Sequence, residues 1–484
     1  VKEFALLIPE LILAGVLALL IVAEISYHGE RVRLVTTTAA LGLAAAMIYT
    51  ILSYPLAPAR AFGGVLSIDG LSIFFKLFFI ALALLTLMIS GVTQDVAREK
   101  KAEYAALVIA ASLTMSIAAS ASDLLVCFLC LQSYHLISYL LAAYGKGSVR
   151  STEAAVKHLS FGVFGGALFL FGSAMLFAGT RTINIYQMPA ALASSPFLQT
   201  GMLVIVLLLI LGWSAQMAAF PMGFWAPDVL QGSPTPASGF IAMGGRAVGF
   251  VVAVRVLVVV FAQGVPGKGQ WTAQGMPEWP ILLSIIAGGT LLYGTFLAVR
   301  QSTVKRLVSC LIVAQTGFLL MGLLVLDELG IAASLFNLLV ELFAVLGCFY
   351  VLSVLENGES MKGALSRALP ETVALILFLS CIVGLPPFPG FLGKFTLIGA
   401  AVSHEWYSLA VVATLSMILC TVAVFRLMFR LIGHPVESTA PVSLQGDLTR
   451  GLILATLVVP LVILGVFAED ALEWAGRSLR FILW

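Results

Sequence analysis

GWSAQMAAFPMGFWAPDVLQGSPTP, residues 212–236, sets Pro221, Pro227, Pro234 and Pro236 between two long apolar runs. Proline lacks a backbone donor and its ring clashes with the preceding turn, so these four residues should break any helix built here. What the break means depends on the solvent around it. In water it would be an ordinary loop, but in lipid an unwound backbone is tolerated only where it is packed inside protein or lines a wet cavity.

Composition decides between the two. Of the 484 residues, 61% are hydrophobic and only 10% charged, whereas a soluble chain carries about 25% charged residues. The chain belongs in a membrane, where every backbone polar group must be paired internally. Apolar stretches of about 20 residues without strand-like alternation select helices. The sequence predicts an all-α polytopic membrane protein with about fourteen spans, near 4–26, 34–54, 71–93, 103–120, 122–144, 153–178, 201–224, 236–262, 279–299, 305–326, 330–355, 371–401, 405–431 and 450–469. The first run carries Glu10 and Glu24, is too long for a signal core and lacks a small-residue cleavage site, so it reads as a retained helix. The net charge of +2 points to no nucleic-acid partner.

The placement of charge says more than its sum. One side of the membrane collects Arg31, Arg33, Arg98, Lys100, Lys101, Lys146, Arg150, Arg300, Lys305, Arg306, Lys362, Arg367, Arg430 and Arg450, and the other holds Lys2, Arg60, Arg181, Lys268, Arg477 and Arg480. The positive-inside rule then puts both termini outside.

A second interruption lies at VGLPPFPGFLGKF, residues 383–395, where Pro386, Pro387 and Pro389 break an apolar span and Gly384, Gly390 and Gly393 supply backbone freedom. The two breaks stand about five spans apart. Five is odd, so successive five-span units have opposite orientation, and matched breaks in inverted repeats point to an ion pathway. The resulting division is 1–102 for helices 1–3, 103–262 for a first repeat with its break near 212–224, 263–432 for a second with its break near 384–394, and 433–484 for helix 14 and a tail.

Charges at the centre of a membrane helix cost about 2.5–3.5 kcal/mol on insertion scales, so each needs a partner or a function. The candidates are Lys394 directly after the second break, Glu341 in mid-span, and Arg246, with Arg255 expected to be paired within the bundle. Glu153 and Lys157, counted with Lys394, Glu341, Arg246 and His135 as proton-pathway candidates, stand at i, i+4 in the order that favours a helical ion pair, and a near-surface pair at the start of span six is the alternative. His135 follows Gln132 and Tyr134, with no second ligand at metal spacing, and reads as a hydrogen-bonded packing residue. Cys127 and Cys130 form a CxxC without the second pair that a structural zinc needs. There is no dinucleotide fingerprint and no iron–sulfur pattern, so no catalytic, cofactor or metal residue is assigned.

At these residues the chain resembles subunit N of proton-translocating NADH:quinone oxidoreductase, respiratory complex I. The likeness is carried by SIDGLSIFFK at 67–76, STEAAVKHLSFGVFGGALFLFG at 151–172, FWAPDVLQGSPTP at 224–236, RQSTVKRLVSCLIVAQTGF at 300–318 and GLPPFPGFLGKF at 384–395. It implies two inverted five-helix repeats and a chain of buried charges that relays protons. It also implies partners among the other membrane-arm subunits (an antiporter-like subunit M and the K, J, A and H types), contact with lipid, a bacterial plasma membrane, and FMN, iron–sulfur clusters and quinone elsewhere in the complex.

The family's relay has a glutamate in span five, lysines at the first break and in span eight, a histidine near span ten and a lysine at the second break. Carried over, these positions hold Gln132, Gln216, Arg246, Gln315 and Lys394, and Gly223 stands where a histidine is usual after the first break. Only Lys394 keeps the family's residue. Glutamine cannot titrate, and arginine stays protonated under any plausible field. The expectation is a subunit that couples quinone reduction to proton translocation through a channel that is reduced or silent, with Glu341 paired to Lys394 or Arg246. The rivals are an active path rewired through Lys394, Glu341 and His135, and a subunit of a related cation/proton antiporter or membrane-bound hydrogenase.

Overall fold

A computed structural model describes residues 2–26, 32–53, 58–93, 95–97, 100–145, 148–193, 196–265, 269–274, 278–355, 362–433 and 448–479. Of the charges used for orientation, Arg31, Arg98, Lys146, Lys268 and Arg480 lie outside the described residues.

The long helices are α1 (Ile8–Ser26), α2 (Val32–Ser53), α3 (Gly70–Val92), α4 (Lys101–Ser120), α5 (Leu124–Ala142), α6 (Val149–Thr180), α7 (Pro196–Met217), the short α8 (Ala226–Gly232), α9 (Thr235–Phe261), α10 (Trp279–Arg300), α11 (Val304–Leu324), α12 (Glu328–Leu355), α13 (Leu369–Val383), α14 (Pro389–Ser403), α15 (Tyr407–Ile432), α16 (Leu448–Val466) and α17 (Ala468–Arg477). Thirteen helical stretches among the described residues are long and apolar enough to cross a membrane. The predicted span at 371–401 is instead two helices of 15 residues each. At about 1.5 Å per residue neither alone covers a hydrocarbon core of about 30 Å, so the two halves cross together.

Local chemistry sets several of the starts. Asp69 caps α3 by accepting from Ser72 N at 2.8 Å while Ser72 Oγ accepts from Asp69 N, a reciprocal capping box. Asp123 caps α5 through Leu125 N and Val126 N. Every residue of α9 is buried, so this helix is the axis of the bundle. The outward face of α6 instead exposes Val156, Val163, Phe164, Leu170 and Phe171, an apolar skin suited to lipid or a neighbouring subunit.

Two features depart from a purely helical reading. Ala59–Ala61 pairs antiparallel with Leu66–Ile68, and Ala262–Val265 with Gln270–Ala273, forming small hairpins between spans. The predicted C-terminal tail also forms α17, whose Trp474 ring packs on Phe74 of α3 at 5.0 Å.

The prolines correct the sequence reading in detail. In the first break α7 runs on to Met217, past the start of the predicted break at 212, and the interruption covers 218–225 with Pro221 inside it. Pro227 sits in the first turn of α8, Pro234 at the cap of α9 and Pro236 in its first turn, where the missing donor costs nothing. These three start helices and do not break them. Pro386 and Pro387 do lie in the second interruption, while Pro389 begins α14. Gly384 takes the left-handed conformation at φ 80° that ends α13. Gly390 and Gly223 serve close approach instead of flexibility: neither has room for a Cβ, the first against the Cys381 carbonyl and the second against that of Ala218.

Candidate functional site

The two breaks leave helix C-termini inside the bundle, and each exposes carbonyls that need donors. At the end of α7, Trp225 Nε1 donates to Ala215 O at 2.9 Å and Thr316 Oγ1 donates to Met217 O at 3.0 Å. At the end of α13 the donor is a charge: Lys394 Nζ donates to Ile382 O. A cation suits this place, because the helix dipole puts partial negative charge at a C-terminus. Lys394 is 1% exposed and its Nζ also lies over the Phe318 ring, 5.4 Å from the centroid.

Between the breaks runs α9, carrying Arg246 and Arg255 nine residues apart, a rise of about 13.5 Å along the axis. Arg246 Nη1 donates to Glu341 Oε2 of α12 at 2.7 Å and to Ile312 O of α11 at 3.4 Å, and Nε donates to Ala242 O at 3.2 Å. Glu341 therefore faces the bundle interior, with Arg246 as its direct partner. Arg255 donates to both oxygens of Asp69, at 2.9 and 3.1 Å, and to Ala119 O at 2.7 Å. A further buried pair joins Lys76 of α3 to Glu10 of α1 at 2.7 Å.

The uncharged positions lie on α5, α7, α11 and α12. Gln216 is buried beside His135, and its Nε2 has no hydrogen-bond partner among the described residues. Gln132 is partly exposed and packs on Gly166 of α6, where a Cβ would overlap its amide. Gln315 is buried on α11, one turn beyond Ile312, with Oε1 unpartnered among the described residues. Asn337 Nδ2 of α12 is likewise unpartnered, and its side chain leaves Gly393 no room for a Cβ. His135 Nε2 bonds His158 O at 3.0 Å, and the two imidazoles lie 4.4 Å apart.

Glu153 and Lys157 stand apart from this line. Their ion pair, at 2.7 Å, is largely exposed, and Lys157 also meets Asp228 of α8 at 2.8 Å, which in turn meets Arg306 of α11 at 2.9 Å. Cys127 and Cys130 are buried free thiols.

Sequence reasoning passed over Asp69, Lys76, His158 and Asp228. Two signals were present: a lysine a few residues into an apolar span demands a partner, and the Asp69–Ser72 spacing is that of a capping box. His158 and Asp228 carry no local signal, since each acquires its neighbours only through tertiary packing.

The family described as NADH:quinone oxidoreductase/Mrp antiporter, TM matches residues 121–420, which include both breaks, Arg246, Glu341 and Lys394. The chain is 31% identical over 483 residues to NADH-quinone oxidoreductase subunit N of Chlorobium chlorochromatii (strain CaD3), an alignment covering 97% of this chain and 94% of the relative. The chain belongs to the subunit N family of complex I. As a subunit N it is a multi-pass membrane component of a multisubunit NADH:quinone oxidoreductase, and it contributes no redox site. The same architecture recurs in respiratory complex I from Thermus thermophilus with bound Aureothin, at TM-score 0.79 and 25% identity over 97% of this chain and 100% of that one. The Mrp complex of Dietzia sp. DQ12-45-1b shares the fold at TM-score 0.83 and 18% identity, covering 99% of this chain and 98% of that one. F(420)H(2) dehydrogenase subunit N of Methanosarcina mazei is 29% identical over 503 residues, covering 99% of this chain and 98% of the relative.

Proposed function

We propose that this subunit N couples quinone reduction to proton translocation through a reduced channel, in which the second half keeps a titratable lysine and the first half has lost its own. One observation carries the reading. The charge in mid-bundle is an arginine held by a carboxylate at 2.7 Å and by two carbonyls, a group that keeps its proton and its place. Gln132, Gln216 and Gln315 keep hydrogen-bonding capacity but cannot take up protons. Lys394 differs: its direct partners are a neutral carbonyl and an aromatic face, so its charge responds to whatever moves near Glu341.

In this reading the subunit packs in the membrane arm beside an antiporter-like M-type subunit and the K, J, A and H types. It transmits charge displacement along the arm, with both termini outside a bacterial plasma membrane, while FMN, iron–sulfur clusters and the quinone site belong to other chains. The inverted repeats, 103–262 and 263–432, are supported by the parallel construction of the two breaks: each ends a helix in a residue of positive φ, Ala218 or Gly384, and the next helix, α8 or α14, has proline in its first turn.

A second reading, a path rewired through Lys394 and Glu341, is favoured by the unpartnered amide atoms of Gln216, Gln315 and Asn337, which could each hold a water.

The test is the number of protons moved per electron by the assembled complex in sealed vesicles. The reduced channel gives a ratio below that of relatives with an intact relay, and Lys394→Ala lowers it further without stopping electron transfer. A full ratio that Lys394→Ala leaves unchanged would overturn the reading.

A further inference from the structure

The first half of the bundle holds two buried histidines that no part of the reading above uses. His135 of α5 and His158 of α6 are 2% and 1% exposed, and Ser138 lies between them. We propose that His135, Ser138 and His158 form a proton-accepting site that holds one exchangeable proton in the half of the subunit whose glutamate and lysine positions are occupied by Gln132 and Gln216.

The hydrogen bonds fix the tautomers. Ser138 has one hydrogen, and it is given to His135 O at 2.8 Å in its own helix. With that hydrogen on His135 O, the contact between Ser138 Oγ and His158 Nε2, at 2.8 Å, is a donation from the ring, and neutral His158 then carries its proton on Nε2. His135 Nε2 faces the His158 carbonyl at 3.0 Å, and a carbonyl only accepts, so neutral His135 also carries its proton on Nε2. Both Nδ1 atoms are therefore bare lone pairs. Both are buried; the Gln216 amide of α7 stands beside the His135 ring, and His158 Nδ1 has no hydrogen-bond partner among the described residues.

A bare imidazole lone pair in the interior is an acceptor waiting for a proton or a water. When a hydronium relayed along water gives its extra proton to Nδ1 and is left as neutral water, the Nε2–H bonds to His158 O and Ser138 Oγ remain in place, so the site loads without rearranging. Two imidazoles 4.4 Å apart cannot both be charged in this setting, which limits the pair to one proton. The titratable group in ring contact with each is the other imidazole, the two centroids being 4.4 Å apart. From α7 the neutral Gln216 faces His135, and from the first break the Trp225 ring lies against His158 with centroids 4.2 Å apart, tilted by 41°. The neighbouring cation, Lys157, is turned toward Asp228 and Glu153. Gly162 is the positioning residue: a Cβ there would overlap the His135 ring, so only glycine lets that ring reach the opposing carbonyl.

The inference rests on the reduced-channel reading, in that it names the group left to take up protons in the first half. The test is a pH titration of the assembled complex in lipid over about pH 5 to 9, followed by infrared difference spectroscopy with histidine isotope labelling, in wild type and in His135→Gln, which keeps the donor toward His158 O but has no lone pair to titrate. An imidazole band that titrates in wild type and is lost in both His135→Gln and His158→Gln supports the site. A titration unchanged by either variant overturns it, as does a wild-type complex showing no histidine titration, a result that needs no variant to assemble. Ser138→Ala is the milder variant and shifts the midpoint if Ser138 is the bridge. Lys394→Ala keeps the two ideas separable: proton yield insensitive to Lys394 with the histidine band intact sinks the reduced-channel reading alone, whereas the converse sinks the histidine site alone.

Discussion

Arg246 and Glu341 form a buried ion pair 2.7 Å long across the middle of the bundle, joining the central helix α9 to α12, with the two side chains 2% and 5% exposed. Such a pair restrains more than it stabilises, because both charges lose their hydration on burial. Its partners are nonetheless hard to remove singly.

Glu341→Gln leaves the guanidinium without a counter-charge and is expected to destabilise the subunit by about 3–5 kcal/mol, the cost of an uncompensated buried ion. Thermal unfolding of the purified complex, followed by loss of this subunit on native gels, reads the effect. Replacing both residues with leucine should cost far less than Glu341→Gln alone. If the double variant is worse than the single one, the pair contributes net stability and the argument from desolvation is wrong here.

Asp69 has two tasks, as the cap of α3 and as the bidentate acceptor for Arg255. The tasks separate by variant. Ser72→Ala removes only the reciprocal cap and is expected to cost about 1 kcal/mol. Asp69→Asn keeps a capping oxygen but discharges the partner of a fully buried guanidinium, and about 3 kcal/mol or more is expected. Equal effects from the two substitutions would assign the stability to the cap.

The network at the polar ends of α6, α8 and α11 should behave in the opposite way. Lys157, Asp228 and Arg306 are more than a third exposed, so Asp228→Asn is expected to cost at most about 1 kcal/mol, and the loss should shrink as salt is raised. Unfolding curves at low and high ionic strength check this; a salt-independent loss would mean that the network is shielded in the assembled arm.

How far the sequence carried follows from which interactions are local. Hydrophobic runs and proline positions are local signals, and they placed the spans and both breaks. They could not tell a proline that breaks a helix from one that begins the next, because Pro227 and Pro234 depend on where α7 stops and the chain turns. The demand for a partner at Arg246, Arg255 and Glu341 was also legible, since an isolated charge in lipid is costly at any depth. The partners were not: Asp69 lies 186 residues from Arg255, and His158 looks like any helix residue until α5 packs against it.

Gln132 of α5 packs on Gly166 of α6, and Gln216 of α7 stands beside His135, three residues along α5 from Gln132. Restoring the family's relay at these sites is therefore a paired problem. Gln216→Lys alone puts an ammonium where the present amide already lacks a partner, and it should reduce assembly of the subunit. Gln132→Glu is nearly isosteric but puts an unpaired carboxylate at a half-buried site. Together they supply each other's counter-charge, so the double variant should assemble better than either single one, a coupling that a double-mutant cycle measures directly. It should also raise the protons moved per electron above wild type, because the lysine can exchange its proton as the carboxylate's influence changes. Recovery of assembly without a higher proton yield would place the block at Arg246, where an arginine fixed to Glu341 still interrupts the line.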